Sequence, residues 1–375
     1  MFQKSVLEKS GLEKSCLTKM VMFPLTMVSM IVLVGCQQQS LSLDLASETA
    51  SESAPHSAPE SVTTRDCQNI VHDTGETEVC GQIQKVVTVG PNLLELLLAL
   101  DVQPVGHAEY FPMVASTFEQ PEQQIPYLGK RLTGKPKNVG TAHEPSIEAI
   151  AALQPDLILA DSFKNEDDYA LLSQIAPTLL FNYSDAERDW QSDLRAIAPL
   201  FNQTEQAEAL IAEADQRFMT FRQDIQPLVE NYPNVLMLLS EQLEQAIEIE
   251  TPKSACGSLM EDLGFQVIVP KSLKDSEQTS ATLSLEAIPQ LDADLIIIEG
   301  YNSDVTTAAS DPVAQQLQGV KQQWEANAIA QSLPATQAGN VYFTTTYLCH
   351  ALLGPIGTDV FLNQLQQQLQ PLLNP

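Results

Sequence analysis

Three histidines, His107, His143 and His350, lie where the chain leaves a predicted strand. Imidazole is a good ligand for iron, zinc and copper, so these positions permit direct ligation of a metal ion or of haem iron. The alternative is that each histidine only makes hydrogen bonds at the surface, as a single histidine in a loop usually does. The cysteines are not spaced like zinc ligands. We therefore predict no directly bound metal and keep the three histidines as the alternative ligand set.

Other polar and aromatic side chains also follow predicted strands. Ligands of open α/β sheets bind beyond the carboxyl ends of the strands, so the residues after each strand are candidates for a binding site. Besides His143 and His350, the residues that we select are Asn92, Tyr110, Phe111, Ser162, Tyr301 and Tyr347.

Sequence motifs of enzymes and of nucleic-acid binding are missing. The sequence contains no GxSxG, no GxxxxGK[ST] and no GxGxxG after a strand. The formal charge is −29 with only 19 basic residues, which argues against a nucleic-acid partner because phosphate binding needs clustered Lys and Arg. We predict a binding protein, and keep an exported two-lobed α/β enzyme with an unrecognised site as an alternative.

One long predicted helix separates the candidate residues of the first half of the chain from those of the second half. Between Thr204 and Asn231, apolar residues recur every three or four positions, which is the spacing of one buried helix face. They are Ala207, Leu210, Ile211, Ala214, Phe218, Phe221, Ile225 and Leu228. Separate strand-and-helix patterns lie on each side of this helix. We therefore interpret it as a rigid link between two lobes and not as a surface helix of one large domain.

Predicted strands and helices alternate in both lobes. In the first, strands at 85–89, from 104, at 156–160 and at 178–182 alternate with helices at 93–100, 145–153 and 166–175. In the second, strands at 234–239, 265–269, 294–299 and 340–344 alternate with helices at 254–263, 285–290 and 360–373. This alternation predicts an α/β fold with mostly parallel sheets covered by helices. The expected divisions are a first lobe at 65–203, the linking helix at 204–231 and a second lobe at 232–375.

The N-terminus is typical of an exported lipoprotein. Lysines precede an apolar run at 20–34, which is too short for a comfortable membrane span. The run ends in Leu33-Val34-Gly35-Cys36, which resembles the lipobox of bacterial lipoproteins. This resemblance implies a signal peptide at 1–35 and a lipid on Cys36; the alternative is an uncleaved anchor helix. Residues 36–64, rich in Ser, Ala, Glu and Pro, are predicted to be a flexible tether.

Four of the six cysteines remain once Cys16 and Cys36 are set aside, and an even number fits two disulfides in an oxidising compartment. The first two remaining cysteines lie in one lobe and the last two in the other, which favours the pairs Cys67–Cys80 and Cys256–Cys349. The alternative is that the second pair stays as free thiols.

A predicted hairpin bears on the first of these disulfides. Asp73-Thr74-Gly75-Glu76 separates two strand patterns, which is a hairpin signal. A register with Asp73 opposite Glu76 would set Cys80 opposite Asn69. The Cys67–Cys80 disulfide would then need a bulge or a place beyond the ladder.

Two similar phrases occur about 140 residues apart, one in each lobe: PSIEAIAALQPDLILADSF from Pro145 and LSLEAIPQLDADLIIIEGY from Leu283. Gene duplication would explain them, and so would two independent copies of a common β-α-β phrase. With VVTVGPNLLELL from Val86 and VQPVG from Val102, these phrases resemble bacterial periplasmic binding proteins for ferric siderophores, ferric citrate, haem and vitamin B12. That family has one backbone helix between two lobes, and the resemblance covers residues 85–375.

The resemblance implies an ABC importer component that captures a ferric chelate and delivers it to an inner-membrane permease with its ATPase. Haem or cobalamin is the alternative ligand. Iron inside a siderophore already has its oxygen ligands, so the protein supplies shape, stacking and charge, and no cofactor of its own. Lys130 and Arg131 are our candidates for compensating charge; plain solvation is the alternative.

The same resemblance assigns permease docking to a surface glutamate on each lobe, here Glu148 and Glu286. The alternative is that each is a solvated helix residue. Zinc-capturing relatives use His-rich loops, and this sequence has none. We expect a periplasmic monomer, anchored to a membrane through its lipid.

Overall fold

A computed structural model describes residues 66–110, 117–161, 165–181, 190–243, 246–274, 276–300 and 312–373. All of them belong to one unit, Thr63–Pro375. The predicted signal peptide, Cys36 and the tether lie outside the described residues, and so do the candidates Phe111, Ser162 and Tyr301.

Thirteen strands are present in the described residues. They are β1 (Cys67–His72), β2 (Gly75–Cys80), β3 (Val86–Val89), β4 (Gly106–Glu109), β5 (Lys137–Thr141), β6 (Leu157–Asp161), β7 (Thr178–Phe181), β8 (Asn234–Gln242), β9 (Ala246–Glu250), β10 (Gln266–Val267), β11 (Ser280–Leu283), β12 (Leu295–Gly300) and β13 (Val341–Thr345).

The helices lie between and after these strands. They are α1 (Pro91–Ala99), α2 (Pro121–Gln124), α3 (Ile147–Leu153), α4 (Tyr169–Leu172), α5 (Trp190–Ile197), α6 (Thr204–Asn231), α7 (Ala255–Asp262), α8 (Pro312–Ala326), α9 (Ala328–Ser332), α10 (Pro334–Gln337) and α11 (Pro355–Leu373). Short 3-10 helices cover Gly129–Arg131, Ala198–Phe201, Lys271–Leu273 and Leu285–Gln290, and a π-helical turn covers Tyr347–Ala351.

The first sheet has the strand order β5-β4-β3-β6-β7, and its four pairings are parallel. β3 and β6 are buried along their whole length, as expected for strands covered on both faces. The chain runs outward from β3 to β5 and then returns to the other side of β3. The direction of winding therefore reverses between β3 and β6, which is where ligands of such sheets bind.

The second sheet has the order β11-β9-β8-β12-β13, and β10 also pairs with β8. The β10, β12 and β13 pairings are parallel, whereas β9 pairs antiparallel with both β8 and β11. The sequence patterns did not predict β9 or β11. β8 ends at Gln242 and β9 begins at Ala246, a connection too short for a parallel crossover.

The helix α6 contacts the cores of both sheets. Its buried residues Ala207 and Ile211 pack in the core cluster of the first sheet, while Phe221, Ile225 and Leu228 pack in that of the second. The predicted apolar face therefore contributes buried residues to two hydrophobic cores, first to that of the first sheet and then to that of the second. The α/β fold with two lobes and one long linking helix is confirmed; the lobe boundaries stay predictions. Within the described ranges, no helix combines the length and apolarity needed to cross a membrane.

The predicted hairpin register was wrong. His72 pairs with Gly75 across a two-residue turn, and Cys67 pairs with Cys80 where Asn69 was expected. Gly75 has a φ of 132°, which glycine adopts readily and other residues do not, so the second strand starts directly after the turn. The Cα atoms of Cys67 and Cys80 are 4.0 Å apart and their sulfur atoms are bonded without a bulge.

Several predicted boundaries also differ. Residues 117–141, for which no helix was predicted, contain α2, a 3-10 helix and β5. The predicted helix at 166–175 is reduced to α4, and α5 and α8 were not predicted. α11 starts at Pro355, not at 360, because proline suits the first helical position, where no N–H is needed.

Candidate functional site

The carboxyl ends of β3 and β6 meet at a buried polar contact. Asn92 follows β3 and is fully buried, and its side-chain Nδ2 lies 3.4 Å from Oδ2 of Asp161 at the end of β6. Asn165 is also buried and donates to the carbonyl oxygens of Asp161 and Ala142. Amide and carboxylate groups that bond to each other therefore form the bottom of the crevice at the winding reversal.

A second buried carboxylate at this edge reaches across to the other lobe. Glu109, the last residue of β4, accepts hydrogen bonds from the hydroxyl of Tyr347, which lies 2.9 Å from each carboxylate oxygen. The backbone N–H of Tyr110 donates to the same carboxylate at 2.6 Å. Behind it, His107 Nε2 lies 3.4 Å from Glu109, and His107 Nδ1 bonds Thr88. Glu109 thus joins the two lobes through a phenol.

Aromatic rings surround this contact. Tyr110 stacks on His143 with ring centres 5.4 Å apart and an interplanar angle of 8°. Tyr347 meets Tyr110 edge-on at 6.3 Å and Tyr127 at 6.0 Å. Tyr127 also bonds Thr345 through its hydroxyl, at 3.3 Å. The facing edges of the two sheets therefore present flat rings and hydroxyls, groups suited to stacking on a ligand and donating to it.

These phenols stay protonated. Burial raises the pKa of Tyr347 well above its usual value, and the neighbouring Glu109 carboxylate raises it further. Burial also raises the pKa of Tyr110, with contributions from Asp161 and Glu109. Both hydroxyls therefore act as neutral hydrogen-bond donors and acceptors at every physiological pH.

Three residues of the second lobe form a separate polar cluster at the carboxyl end of its sheet. His350 Nε2 lies 3.0 Å from Glu250 Oε1 and 3.2 Å from Glu299 Oε2. Both glutamates are buried, while the histidine side chain is 43% exposed. Burial, followed by the nearby Glu250 carboxylate, raises the pKa of Glu299 to about 8, and hydrogen bonds to both glutamates raise that of His350. We call Glu250, Glu299 and His350 the EEH cluster.

Another buried carboxylate ties the lobes together away from the rings. Glu95 of α1 is fully buried and accepts hydrogen bonds from the backbone N–H groups of Gly354, at 2.9 Å, and Gly357, at 2.6 Å. These N–H groups flank the start of α11, where a carboxylate is favoured by the helix dipole. Burial raises the pKa of Glu95 to about 7, and the two backbone N–H groups oppose this shift.

Comparison with known proteins identifies the architecture. The family described as "Periplasmic binding protein" matches residues 86–348. The chain belongs to this family. It is therefore a substrate-binding protein and not an enzyme.

Curated relatives of this periplasmic binding protein carry iron-related names. The probable siderophore-binding lipoprotein YfiY of Bacillus subtilis (strain 168) is 28% identical over 287 residues, covering 75% of this chain and 81% of the relative. The Fe(3+)-citrate-binding protein YfmC of the same organism is 26% identical over 278 residues, covering 73% of this chain and 77% of the relative.

A solved structure shows the same fold. Staphylococcus aureus SirA complexed with staphyloferrin B superposes with a TM-score of 0.64 at 24% identity, covering 81% of this chain and 98% of SirA.

The structure of the binding protein brings together some of the residues predicted from sequence. Tyr110, His143 and Tyr347 lie in the ring cluster. Asn92 and His107 are fully buried and bond to protein groups, so neither faces solvent. His107 lies within β4 and not in a loop after it, because that strand extends to Glu109.

The three candidate histidines have different neighbours and do not form one ligand set in the described residues. His107 contacts Thr88 and Glu109, His143 stacks on Tyr110, and His350 bonds the two glutamates of the second lobe.

The charged candidates are on the surface. Lys130 and Arg131 are exposed in the 3-10 helix Gly129–Arg131. Glu148 is exposed in the first turn of α3, and Glu286 is exposed in the matching 3-10 helix of the second lobe. The two helices occupy corresponding places in the repeated phrase, although Pro289 lies inside the second copy.

The remaining disulfide lies beside the EEH cluster. Cys256 of α7 is bonded to Cys349 of the π-helical turn, with an S–S distance of 1.99 Å, and both residues are buried. Cys349 precedes His350, so this covalent link fixes the turn that carries the histidine.

Sequence reasoning did not select Glu95, Tyr127, Glu250 or Glu299 as site residues. A detectable signal existed for two of them. Glu95 is the one charged residue in PNLLELLLA, and Glu299 follows three isoleucines in LIIIEG. A carboxylate in an otherwise buried segment needs a partner, so each position pointed to a polar contact.

Proposed function

We propose that this protein captures a ferric siderophore, or a ferric citrate-type chelate, in the cleft between its lobes and delivers it to an inner-membrane ABC permease. The observation that carries the proposal is the ring cluster Tyr110, Tyr127, His143 and Tyr347, contributed by both lobes. All of them except Tyr127 follow the carboxyl end of a strand. Flat rings with fixed hydroxyls suit the planar, oxygen-rich arms of such chelates. The names of the relatives YfiY and YfmC support the same ligand class.

The chelate brings its own iron ligands, so the protein has to recognise its outer surface. His143 is exposed and stacked on Tyr110, which orients both rings. Lys130 and Arg131 are also exposed. The positive charge of Arg131 acts to lower the pKa of Glu95, which bonds the other lobe, so this pair lies near the boundary between the lobes. They are suited to neutralise an anionic chelate as it enters.

A thermal-shift screen tests the ligand class. The purified chain is mixed with ferric citrate, with ferric hydroxamate and catecholate siderophores, with the same chelators without iron, and with haem and cobalamin. A ligand that binds only the folded state raises the melting temperature by mass action. We expect a concentration-dependent rise with at least one ferric chelate. A rise only with haem or cobalamin would assign the protein to those ligands and contradict the proposal.

Variants of the ring cluster test whether the ligand binds in the cleft. Tyr110→Ala and His143→Ala should each weaken chelate binding by roughly tenfold, the loss of about 1.4 kcal/mol of stacking. Tyr169→Ala, at a tyrosine that contacts the hairpin residue Thr77, is the control and should keep the affinity of the unmodified protein. Equal affinity in all variants would move the ligand to another surface.

Glu148 and Glu286 are proposed to dock onto the permease. Both are exposed, one on each lobe, in matching copies of the repeated phrase. Rim charges of this kind set orientation and association rate. The double variant Glu148→Lys/Glu286→Lys should bind chelate normally and fail to support uptake. Glu76→Lys/Glu325→Lys makes the same charge change at two other exposed glutamates, one per lobe, and should transport normally.

Export and anchoring complete the proposal. The protein is of an exported class, and Cys36 is proposed to carry the lipid that holds it at a membrane as a monomer, with residues 36–64 as the tether. Mass spectrometry of the mature N-terminus tests this: an acylated Cys36 supports it, and an intact residue 1 contradicts it. Cys36→Ser should release the protein from the membrane fraction.

A further inference from the structure

We propose that the EEH cluster, Glu250, Glu299 and His350, is a binding site for a divalent transition-metal ion. The cluster supplies two carboxylate oxygens and one imidazole nitrogen, all within 4.8 Å of one another. This donor set suits zinc and its neighbours in the first transition row. The inference goes beyond the proposed function, because the ligand is a bare ion and not a chelate.

The distances between the donor atoms fit a shared ion. Metal–ligand bonds of about 2.0–2.2 Å place neighbouring donor atoms roughly 3.0 Å apart in an octahedral site and roughly 3.4 Å apart in a tetrahedral one. In the structure His350 Nε2 lies 3.0 Å from Glu250 Oε1 and 3.2 Å from Glu299 Oε2. An ion can therefore join these atoms with small side-chain movements.

One oxygen of the cluster lacks a donor. Glu299 is fully buried and its carboxyl group interacts with that of Glu250, but among the described residues no N–H or hydroxyl group donates to its Oε1. Leaving a buried carboxylate oxygen unpaired is costly, and native proteins seldom do so without a water or an ion nearby.

The surroundings hold the donors as a metal site requires. Ser254 donates to Glu250 Oε2 at 3.0 Å, which leaves Oε1 directed at the histidine. Ser254 in turn accepts from the N–H of Gly257 at the start of α7. Groups that orient the ligands in this way raise metal affinity by about 10–100-fold. The Cys256–Cys349 bond fixes the residue next to His350.

The site is also accessible from one side. The His350 side chain is 43% exposed, while Glu250 and Glu299 lie beneath it. An ion can enter past the imidazole and keep water on its open side, as in sites with three protein ligands.

The test is calorimetric titration of the full chain with Zn²⁺ after dialysis against EDTA and then metal-free buffer, with no siderophore present. We expect one equivalent to bind with a dissociation constant in the micromolar range or below, and to raise the melting temperature. Glu299→Gln and His350→Ala should each weaken binding by at least about 100-fold, because each removes a direct ligand. Gln at position 299 keeps the side-chain volume, and melting curves in EDTA check that both variants fold.

The control is Glu248→Gln, on the same strand two residues from Glu250, where the carboxylate already bonds Ser280. This variant should bind Zn²⁺ as the unmodified protein does. The proposal is overturned if the folded chain shows no saturable Zn²⁺ binding, or if the folded Glu299→Gln and His350→Ala variants retain the original affinity. Either result leaves the chelate screen unaffected, since that screen uses no free metal.

Discussion

Glu95 and Glu109 are two buried carboxylates of the first lobe, and both accept hydrogen bonds from the second lobe. Their donors differ. Glu95 is held by the rigid backbone N–H groups of Gly354 and Gly357, whereas Glu109 is held by the side-chain hydroxyl of Tyr347. A backbone donor at a helix start cannot turn away, but a tyrosine can change rotamer.

The comparison separates the interface into a fixed part and an exchangeable part. Glu95 of α1 contacts the start of α11. Its neighbour Leu94 belongs to an apolar cluster that also contains Leu98, Leu352 and Ile356. Glu109 lies among the rings at the cleft. Together with the stiff helix α6, the contact at Glu95 predicts that the lobes close only slightly around a ligand. The contact at Glu109 is the one that a ligand can replace.

The largest expected effect is that of Glu95→Ala. This change leaves two buried N–H groups without an acceptor, which should cost about 4 kcal/mol and lower the melting temperature by about 10 °C. Thermal unfolding followed by circular dichroism measures it. Glu213→Ala, at an exposed position of α6, is the control and should change stability little. Equal melting temperatures for the two variants would show that the Glu95 contact does not stabilise the interface between the lobes.

Gly354→Ala should have the next largest effect. A Cβ built on Gly354 lies 2.7–2.9 Å from the carboxylate atoms of Glu95, so the contact must open. We expect a loss of about 2 kcal/mol in the free energy of unfolding, measured with urea. Gly319→Ala is matched to it, since a Cβ at Gly319 of α8 meets nothing within 4 Å. That change should be neutral or stabilising by up to about 1 kcal/mol, and a similar loss at both sites would contradict the account.

Tyr347→Phe should have a smaller effect on stability and a clear one on binding. It deprives the Glu109 carboxylate of its phenol donor, at a cost of about 1–2 kcal/mol. Chelate affinity should fall as well, because the hydroxyl is at the cleft. Tyr169→Phe loses a comparable hydroxyl contact, to Thr77, and should leave affinity unchanged. An unchanged affinity in Tyr347→Phe would exclude this hydroxyl from the ligand site.

The last expected effect is a dependence of stability on pH. Burial raises the pKa of Glu95 from 4.5 to about 7, so the folded state favours the protonated form. The stability that this group contributes is therefore complete below pH 4.5 and is lost as the pH rises through 7. The melting temperature of the unmodified protein, measured relative to Glu95→Gln, should fall between pH 5 and 8. Parallel curves for the two proteins would show that Glu95 does not titrate in this window.

The parts of the fold that were predictable depend on local patterns. The helix α6 was predicted correctly because its apolar residues repeat with the period of a helix, and β3 and β6 because they are short, continuously apolar runs. β9 was missed although Ala246–Glu250 alternates in polarity, because no turn residues clearly marked its ends.

The polar contacts between the lobes were not predictable in detail. Glu95 and Glu109 bond to partners 238 to 262 residues away in the sequence. No spacing of residue types predicts a contact over such a separation. A glutamate among leucines indicates only that a partner exists. The hairpin register failed for a local reason, since the turn depends on the backbone angle of Gly75.

The central claim is that the cleft between the lobes binds a ferric chelate through rings from both lobes. Equilibrium titration with the chelate selected in the thermal-shift screen, followed by quenching of intrinsic fluorescence, tests it most directly. We predict saturable one-to-one binding of the ferric form, at least roughly tenfold weaker binding after Tyr110→Ala, and little change in the radius of gyration on binding. Binding that is unaffected by Tyr110→Ala and Tyr347→Phe would contradict the claim.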